Sequence, residues 1–220
     1  MLQGVIFDMD GTLLDTMYYW EHVGEDFLRK IGKTPEPGLG QAMLPMTLTE
    51  GATYLREHYS LDMTVEEVMA GTRAVCDDFY RETADFKPGA REFMSRLKEH
   101  GIPMVLATAT DRDQVELVMK RLGVLDSFAG ILTSGEVGNT KAQPDIYLQA
   151  AALMGVAPEH TWVFEDAIHA AATAKRAGFR LVGIYDDTSA AVEAELRGLA
   201  DYYIYDFLDF DGFFRFTEQA

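Results

Sequence analysis

Asp8 and Asp10 stand two residues apart directly behind the apolar run Val5-Ile6-Phe7, and Gly11, Thr12 and a further acid, Asp15, follow them. At the end of a short buried strand, two such carboxylates project from one point in nearly the same direction. Gly11 allows the backbone to turn sharply and to come close to a ligand. Concentrated negative charge is costly unless a cation shares it, so the pair asks for a divalent metal and, through it, a phosphate. Solvated acids in a strand-to-loop turn would look the same locally, and the other strand ends have to decide between the two.

In an open parallel α/β sheet, ligands bind beyond the carboxyl ends of the strands. Behind the predicted strand 103–107 come Thr108, Ala109 and Thr110; behind 131–133 lies a loop carrying Lys141; behind 161–164 come Glu165 and Asp166. Each has an ordinary reading by itself: Thr108 as a helix N-cap, Lys141 as a solvated loop residue, Glu165-Asp166 as an acid pair favoured at a helix start. Their appearance in order, each at a strand end, places two acids, a hydroxyl, a lysine and two more acids on one edge.

The elements that must hold them follow from periodicity. From about Phe86 onward, short apolar strands alternate with helices, which implies an α/β fold with a Rossmann-like parallel sheet covered on both faces. Asp111 with Gln114 reads as a capping box opening a helix that stops at Gly123, Pro144 marks a helix start, and 202–204 reads as a further edge strand. The aromatic, acidic tail 202–216 is expected to pack on the sheet edge. Residues 16–86 carry no convincing strand and are far too long for a βα connection. Their apolar residues fall at helical spacing: Trp20, Phe27, Leu28 and Ile31; then Leu48, Ala52, Leu55 and Tyr59; then Val65, Val68, Met69, Thr72, Cys76 and Phe79. Thr47 with Glu50, and Thr64 with Glu67, are capping-box signatures, and residues 34–40 read as a loop. The expected division is a core of residues 1–15 and 87–220 interrupted by a helical domain over 16–86.

Composition narrows the function classes. A hydrophobic share of 48% and a charged share of 25% are those of a soluble globular protein. No apolar stretch approaches the ~20 residues that span a bilayer, and the N-terminus lacks a signal-peptide pattern. Cys76 is the only cysteine and reads as a small buried hydrophobe on a helix; the expected compartment is the cytoplasm. A formal charge of −17 argues against nucleic acid and requires any anionic substrate to be held by a local positive site.

With Asp8-Met9-Asp10-Gly11-Thr12, Thr108, Lys141, Glu165-Asp166 and the helical insertion in view, the chain resembles the haloacid dehalogenase-like superfamily, in the helical-cap branch that includes β-phosphoglucomutase and phosphoglycolate phosphatase. The resemblance implies a Mg²⁺-dependent phosphatase acting on a small phosphorylated metabolite. It implies Asp8 as nucleophile, forming an aspartyl-phosphate, and Asp10 as general acid and base. It implies Mg²⁺ on Asp8, on the backbone carbonyl of Asp10 and on Asp166, with Glu165 orienting metal-bound water. Thr108 and the Ala109 N–H would bind the phosphoryl oxygens, and Lys141 would neutralise charge on both Asp8 and the transferring group.

The chain departs from the family pattern in places. The lysine loop reads Lys141-Ala142-Gln143-Pro144-Asp145 where the family often has Lys-Pro-x-Pro-Asp, and Ala167 and Ala170 stand where Ser and Gly are common. β-Phosphoglucomutase carries a histidine twelve residues after the nucleophile and an arginine in its substrate loop; here Trp20 takes the first place and residues 40–51 hold no Arg or Lys. Hydrolase is therefore expected over sugar-phosphate mutase, which is the alternative. A dehalogenase would need neither Asp10 nor Asp166, and a phosphonate-cleaving enzyme would lack Asp10. A non-catalytic binding or regulatory protein would have no use for the full set of residues. Trp20, Met43 and Met46, with Tyr19 and Leu44, are candidates for an apolar, specificity-setting rim, and the expected state is a monomer or weak homodimer.

Overall fold

The structure, a computed structural model, describes residues 2–43 and 46–219. The chain begins with β1 (Gly4–Phe7), then runs through α1 (Met17–Lys30), α2 (Leu39–Met43), α3 (Leu48–His58) and α4 (Val65–Glu82). It continues with α5 (Ala90–Glu99), β2 (Met104–Thr108), α6 (Arg112–Arg121), β3 (Gly130–Thr133), the short α7 (Ser134–Val137) and α8 (Asp145–Met154). Last come β4 (Thr161–Glu165), α9 (Ile168–Arg176), β5 (Arg180–Ile184), α10 (Glu193–Leu199), β6 (Tyr202–Ile204) and α11 (Phe210–Gln219).

All strand pairs are parallel, in the order β3-β2-β1-β4-β5-β6. The chain builds outward from β1 on one side and then restarts with β4 on the other, so the switch point lies between β1 and β4. Phe7 is in register with Leu106 on β2 and Phe164 on β4, and the Asp8 N–H donates to the Phe164 carbonyl at 3.0 Å. Asp8 and Glu165 therefore leave the sheet side by side.

Both faces of the sheet are buried because its strands are apolar at successive positions. On one face Ile6, Val105, Ala107 and Val163 pack with Ile146, Tyr147, Ala150 and Ala151 of α8. On the other, Phe7 and Phe164 meet Phe207 at ring separations of 6.3 and 5.9 Å, and Phe93 of α5 lies among Phe207, Phe210 and Phe213. The tail thus covers a sheet face, down to Phe164 and Trp162 of the interior strand β4, and not merely the edge. The physical reason is the run of large aromatic rings, each of which buries far more surface against a face than along an edge.

The chain divides into two compact units, Met1–Asp15 with Asp85–Ala220, and Thr16–Ala84. Within the first, outgoing and returning segments lie together: Leu14 and Phe86 form an antiparallel bridge, and the Lys87 N–H donates to the Leu13 carbonyl at 2.9 Å. Gly89, at φ +81°, starts α5 where a Cβ would meet the Phe207 backbone. The helical unit has its own core of Phe27, Leu28, Leu39, Ala52, Leu55, Val68 and Val75. Both predicted capping boxes close, Thr47 with Glu50 and Thr64 with Glu67. Cys76 is buried, as its reading as a small hydrophobe requires.

Local patterns fail in four places. The Asp111 side chain makes no capping hydrogen bond and Gln114 is buried, so that capping box does not form. Leu39 and Gly40 belong to α2 and not to a loop, because burying Leu39 in the helical core rewards one more turn. Ile31 and Leu48 sit at helix ends and are exposed, their spacing notwithstanding.

Candidate active site

Asp8 emerges from the fully buried β1 beneath a tight loop. Gly11, at φ +79°, lets the chain double back, with the Gly11 N–H donating to the Leu14 carbonyl at 2.9 Å and the Leu14 N–H to the Met9 carbonyl at 2.9 Å. This loop returns Thr12 to the site, where its hydroxyl donates to Asp166 Oδ1 at 2.9 Å.

Lys141, from the loop before α8, pairs with Asp8 Oδ1 and donates to Glu165 Oε2 at 2.9 Å. Glu165 Oε2 also accepts the Tyr147 hydroxyl at 3.1 Å, and its Oε1 accepts the Ala167 N–H at 3.3 Å. Asp8, Glu165 and Asp166 are all buried, and one carboxylate oxygen from each lies within 4.8 Å of the others. Three acids thus share a single ammonium.

That imbalance shapes their titration. Burial, then the charge of Glu165, pushes Asp8 well above the ordinary aspartate value, although Lys141 pulls it down. Asp166 is raised from 3.8 to about 7, again by burial and then by Glu165; the Thr12 hydrogen bond opposes the shift and Asp186 adds a smaller push. Burial alone would lower Lys141, but Asp8 and Glu165 outweigh it and hold the ammonium charged.

A hard divalent cation fits this donor set. Desolvated carboxylates converging on one point are what Mg²⁺ or Ca²⁺ relieves, and no soft sulfur or imidazole donor is among them. Glu165 stands in this acid cluster and also accepts directly from Lys141.

Thr108 is buried at the end of β2, and its Oγ1 accepts the Thr110 N–H at 3.1 Å. A hydroxyl that accepts one bond still carries a proton of its own to donate. Ala109 beside it is exposed. Asp10 is half-buried and its Oδ2 accepts the Thr110 hydroxyl at 2.6 Å.

Local sequence pattern points to no role for Thr110, for Tyr147 or for Thr12 beyond its place in the opening motif. A hydroxyl two residues past Thr108, and a tyrosine one helical turn beyond the lysine loop, were the available signals. In the helical unit, Trp20 is half-buried with its ring 6.4 Å from Tyr80. Met43 packs against the helical core, its sulfur under Gly24, and Tyr19 stacks on Phe79 at 3.7 Å. Met46 is half-buried between α2 and α3, and Leu44 lies outside the described residues.

The family described as haloacid dehalogenase-like hydrolase matches residues 2–178 of the chain. The chain is 34% identical over 209 residues to the "Probable pseudouridine-5'-phosphatase" of Drosophila melanogaster, covering 90% of each. It is 29% identical over 201 residues to the phosphorylated carbohydrates phosphatase of Thermotoga maritima, covering 88% of this chain and 91% of the relative. Among solved structures, a "putative beta-phosphoglucomutase" from Thermotoga maritima superposes with a TM-score of 0.87 at 25% identity, covering 97% of this chain and 99% of the other.

Proposed function

The chain belongs to the haloacid dehalogenase-like hydrolase family, and on that premise we propose a Mg²⁺-dependent phosphatase that hydrolyses a small phosphorylated metabolite through a phosphorylated Asp8. The single observation that carries this reading is Asp8 itself: buried, paired to Lys141, and one of three carboxylates converging within 4.8 Å. The relatives named "Probable pseudouridine-5'-phosphatase" and "Phosphorylated carbohydrates phosphatase" agree with the substrate class.

The residues divide the work. Asp8 attacks phosphorus, the bond to the leaving oxygen breaks, and Asp10 delivers a proton to that oxygen. In the second step Asp10 takes a proton from water as the water displaces Asp8, releasing inorganic phosphate. Lys141 keeps Asp8 oriented and offsets charge on the transferring group. The Thr108 hydroxyl and the Ala109 N–H receive phosphoryl oxygens. Glu165, itself held by the Tyr147 hydroxyl, holds Lys141 from behind. Mg²⁺, held by Asp8, the Asp10 carbonyl and Asp166, would screen the negative charge of phosphate against that of the nucleophile. Residues 1–15 with 85–220 form the catalytic core, and the helical unit 16–84 is the cap, with Trp20, Met43 and Met46 as its specificity candidates.

A sugar-phosphate mutase of this fold must hold a bisphosphate while it turns. Residues 40–51 contain no Arg or Lys to do so, and hydrolysis is the better reading. The test is a phosphate-ester panel run with Mg²⁺ and with EDTA, beside Asp8→Asn. Phosphate release that needs Mg²⁺ and vanishes in Asp8→Asn is expected. Release unaffected by the substitution would remove Asp8 as nucleophile, and conversion of a sugar 1-phosphate to its 6-phosphate would install the mutase.

A further inference from the structure

Thr110 stands between the two halves of the proposed chemistry, in the short loop from the end of β2 to the start of α6. It is buried, and it makes two contacts with different parts of its structure. Its backbone N–H donates to Thr108 Oγ1 at 3.1 Å, and its hydroxyl donates to Asp10 Oδ2 at 2.6 Å across a separation of 100 residues. A hydroxyl has one proton, so donation to Asp10 fixes both the Thr110 rotamer and one oxygen of the carboxylate. With Oδ2 engaged, the Thr110 hydroxyl restrains rotation of the Asp10 carboxylate.

We propose that Thr110 is a positioning residue for proton transfer, holding the Asp10 carboxylate in its reactive orientation while its backbone fixes the phosphate-binding hydroxyl of Thr108. The inference rests on the assignment of Asp10 as general acid and base, and it adds a residue to which that assignment gave no role. Geometry carries it: a proton donor misplaced by about 1 Å forfeits roughly 10²-fold in rate.

The contacts can be separated experimentally. Thr110→Val keeps the backbone N–H and nearly the shape but removes the hydroxyl; Thr110→Ser keeps both. The informative readout is kcat/KM for two esters, which reports phosphoryl transfer to Asp8 whatever step limits turnover. An alkyl phosphate such as glycerol phosphate needs its leaving oxygen protonated, whereas p-nitrophenyl phosphate does not. Thr110→Val is expected to lose about 10- to 100-fold on the alkyl ester and less than about 3-fold on the aryl ester, with Thr110→Ser close to wild type on both. Asp10→Asn should show the same pattern with a larger loss on the alkyl ester.

Equal losses on the two esters in Thr110→Val, no loss on either, or failure of Ser to rescue would overturn the proposal. An Asp10→Asn variant impaired equally on both esters would instead withdraw the acid–base reading, and the role of Thr110 with it. Crystal structures of wild type and Thr110→Val provide a readout free of turnover. The Asp10 carboxylate should rotate out of its wild-type plane in the variant, and an unmoved carboxylate contradicts the proposal.

Discussion

Lys87 and Lys141 are the two lysines buried among the described residues, both in the unit that holds the sheet, and their surroundings differ in one respect. Lys87 donates to the Tyr185 carbonyl and to Asp186 Oδ2, each at 2.8 Å. Asp186 Oδ1 is in turn taken by the Thr188 N–H at 3.0 Å and its hydroxyl at 2.7 Å. One cation meets one anion, and the remaining hydrogen bonds close the pair further. Lys141 instead meets Asp8 and Glu165, with Asp166 beside them, so negative charge is in surplus. A balanced buried pair ties chain segments together; an unbalanced one asks for a further cation. Burial alone does not distinguish a structural lysine from one in a reactive site, but the local charge count does.

Breaking each pair should separate these roles. Lys141→Met is expected to reduce turnover by roughly 10³-fold in saturating Mg²⁺, because it removes the fixed charge facing the transferring group. Lys87→Met should leave turnover of the folded protein within about 3-fold of wild type. It should cost about 3–5 kcal/mol of stability, since it strands Asp186 in the interior, and that appears as a Tm lowered by roughly 10 °C. The double variant Lys87→Met/Asp186→Leu should recover most of the lost Tm, as no unpaired charge remains. Steady-state kinetics beside thermal melts read both halves of the comparison. A Lys87→Met enzyme that keeps its Tm but loses turnover would collapse the distinction.

A smaller effect tests the surplus charge directly. With Asp166 raised to about 7, the metal-free folded state keeps a proton between about pH 4 and 7 that the unfolded chain has released. The folded state then binds more protons than the unfolded one, so this group makes stability fall as pH rises through that window and adds nothing further above it. Mg²⁺ requires the ionised acids and relieves the cost of their ionisation. The rise in Tm on adding Mg²⁺ should therefore be several degrees larger near pH 8 than near pH 5. An increment independent of pH would mean that the acids are not the metal's ligands.

How much of this was legible in the sequence depends on how far apart the partners lie. The strands and the carboxyl-end residues Asp8, Thr108 and Glu165 could be located because each is marked by its own short apolar run, and Lys141 because it lies in the loop that follows β3. The Thr47 and Thr64 capping boxes were equally local, with partners three residues apart. Lys87 with Asp186, Tyr147 with Glu165 and Thr110 with Asp10 were not legible, because spacing in the chain carries no information about side chains 99, 18 or 100 residues apart. The helix α2 and the tail across the sheet face were missed for a related reason, since packing against distant residues decided both. Local pattern marked where the site lies, and tertiary packing decided which groups hold its members in place.

Phosphorylation of Asp8 during turnover is the step on which the proposed chemistry turns. Its most direct measurement is an acid quench of wild-type protein turning over p-nitrophenyl phosphate with Mg²⁺, followed by peptide mass analysis. A phosphoryl group is expected on the peptide containing Asp8, absent from Asp8→Asn and removed by hydroxylamine, as an acyl phosphate should be. Phosphate release with the label on another residue would contradict it.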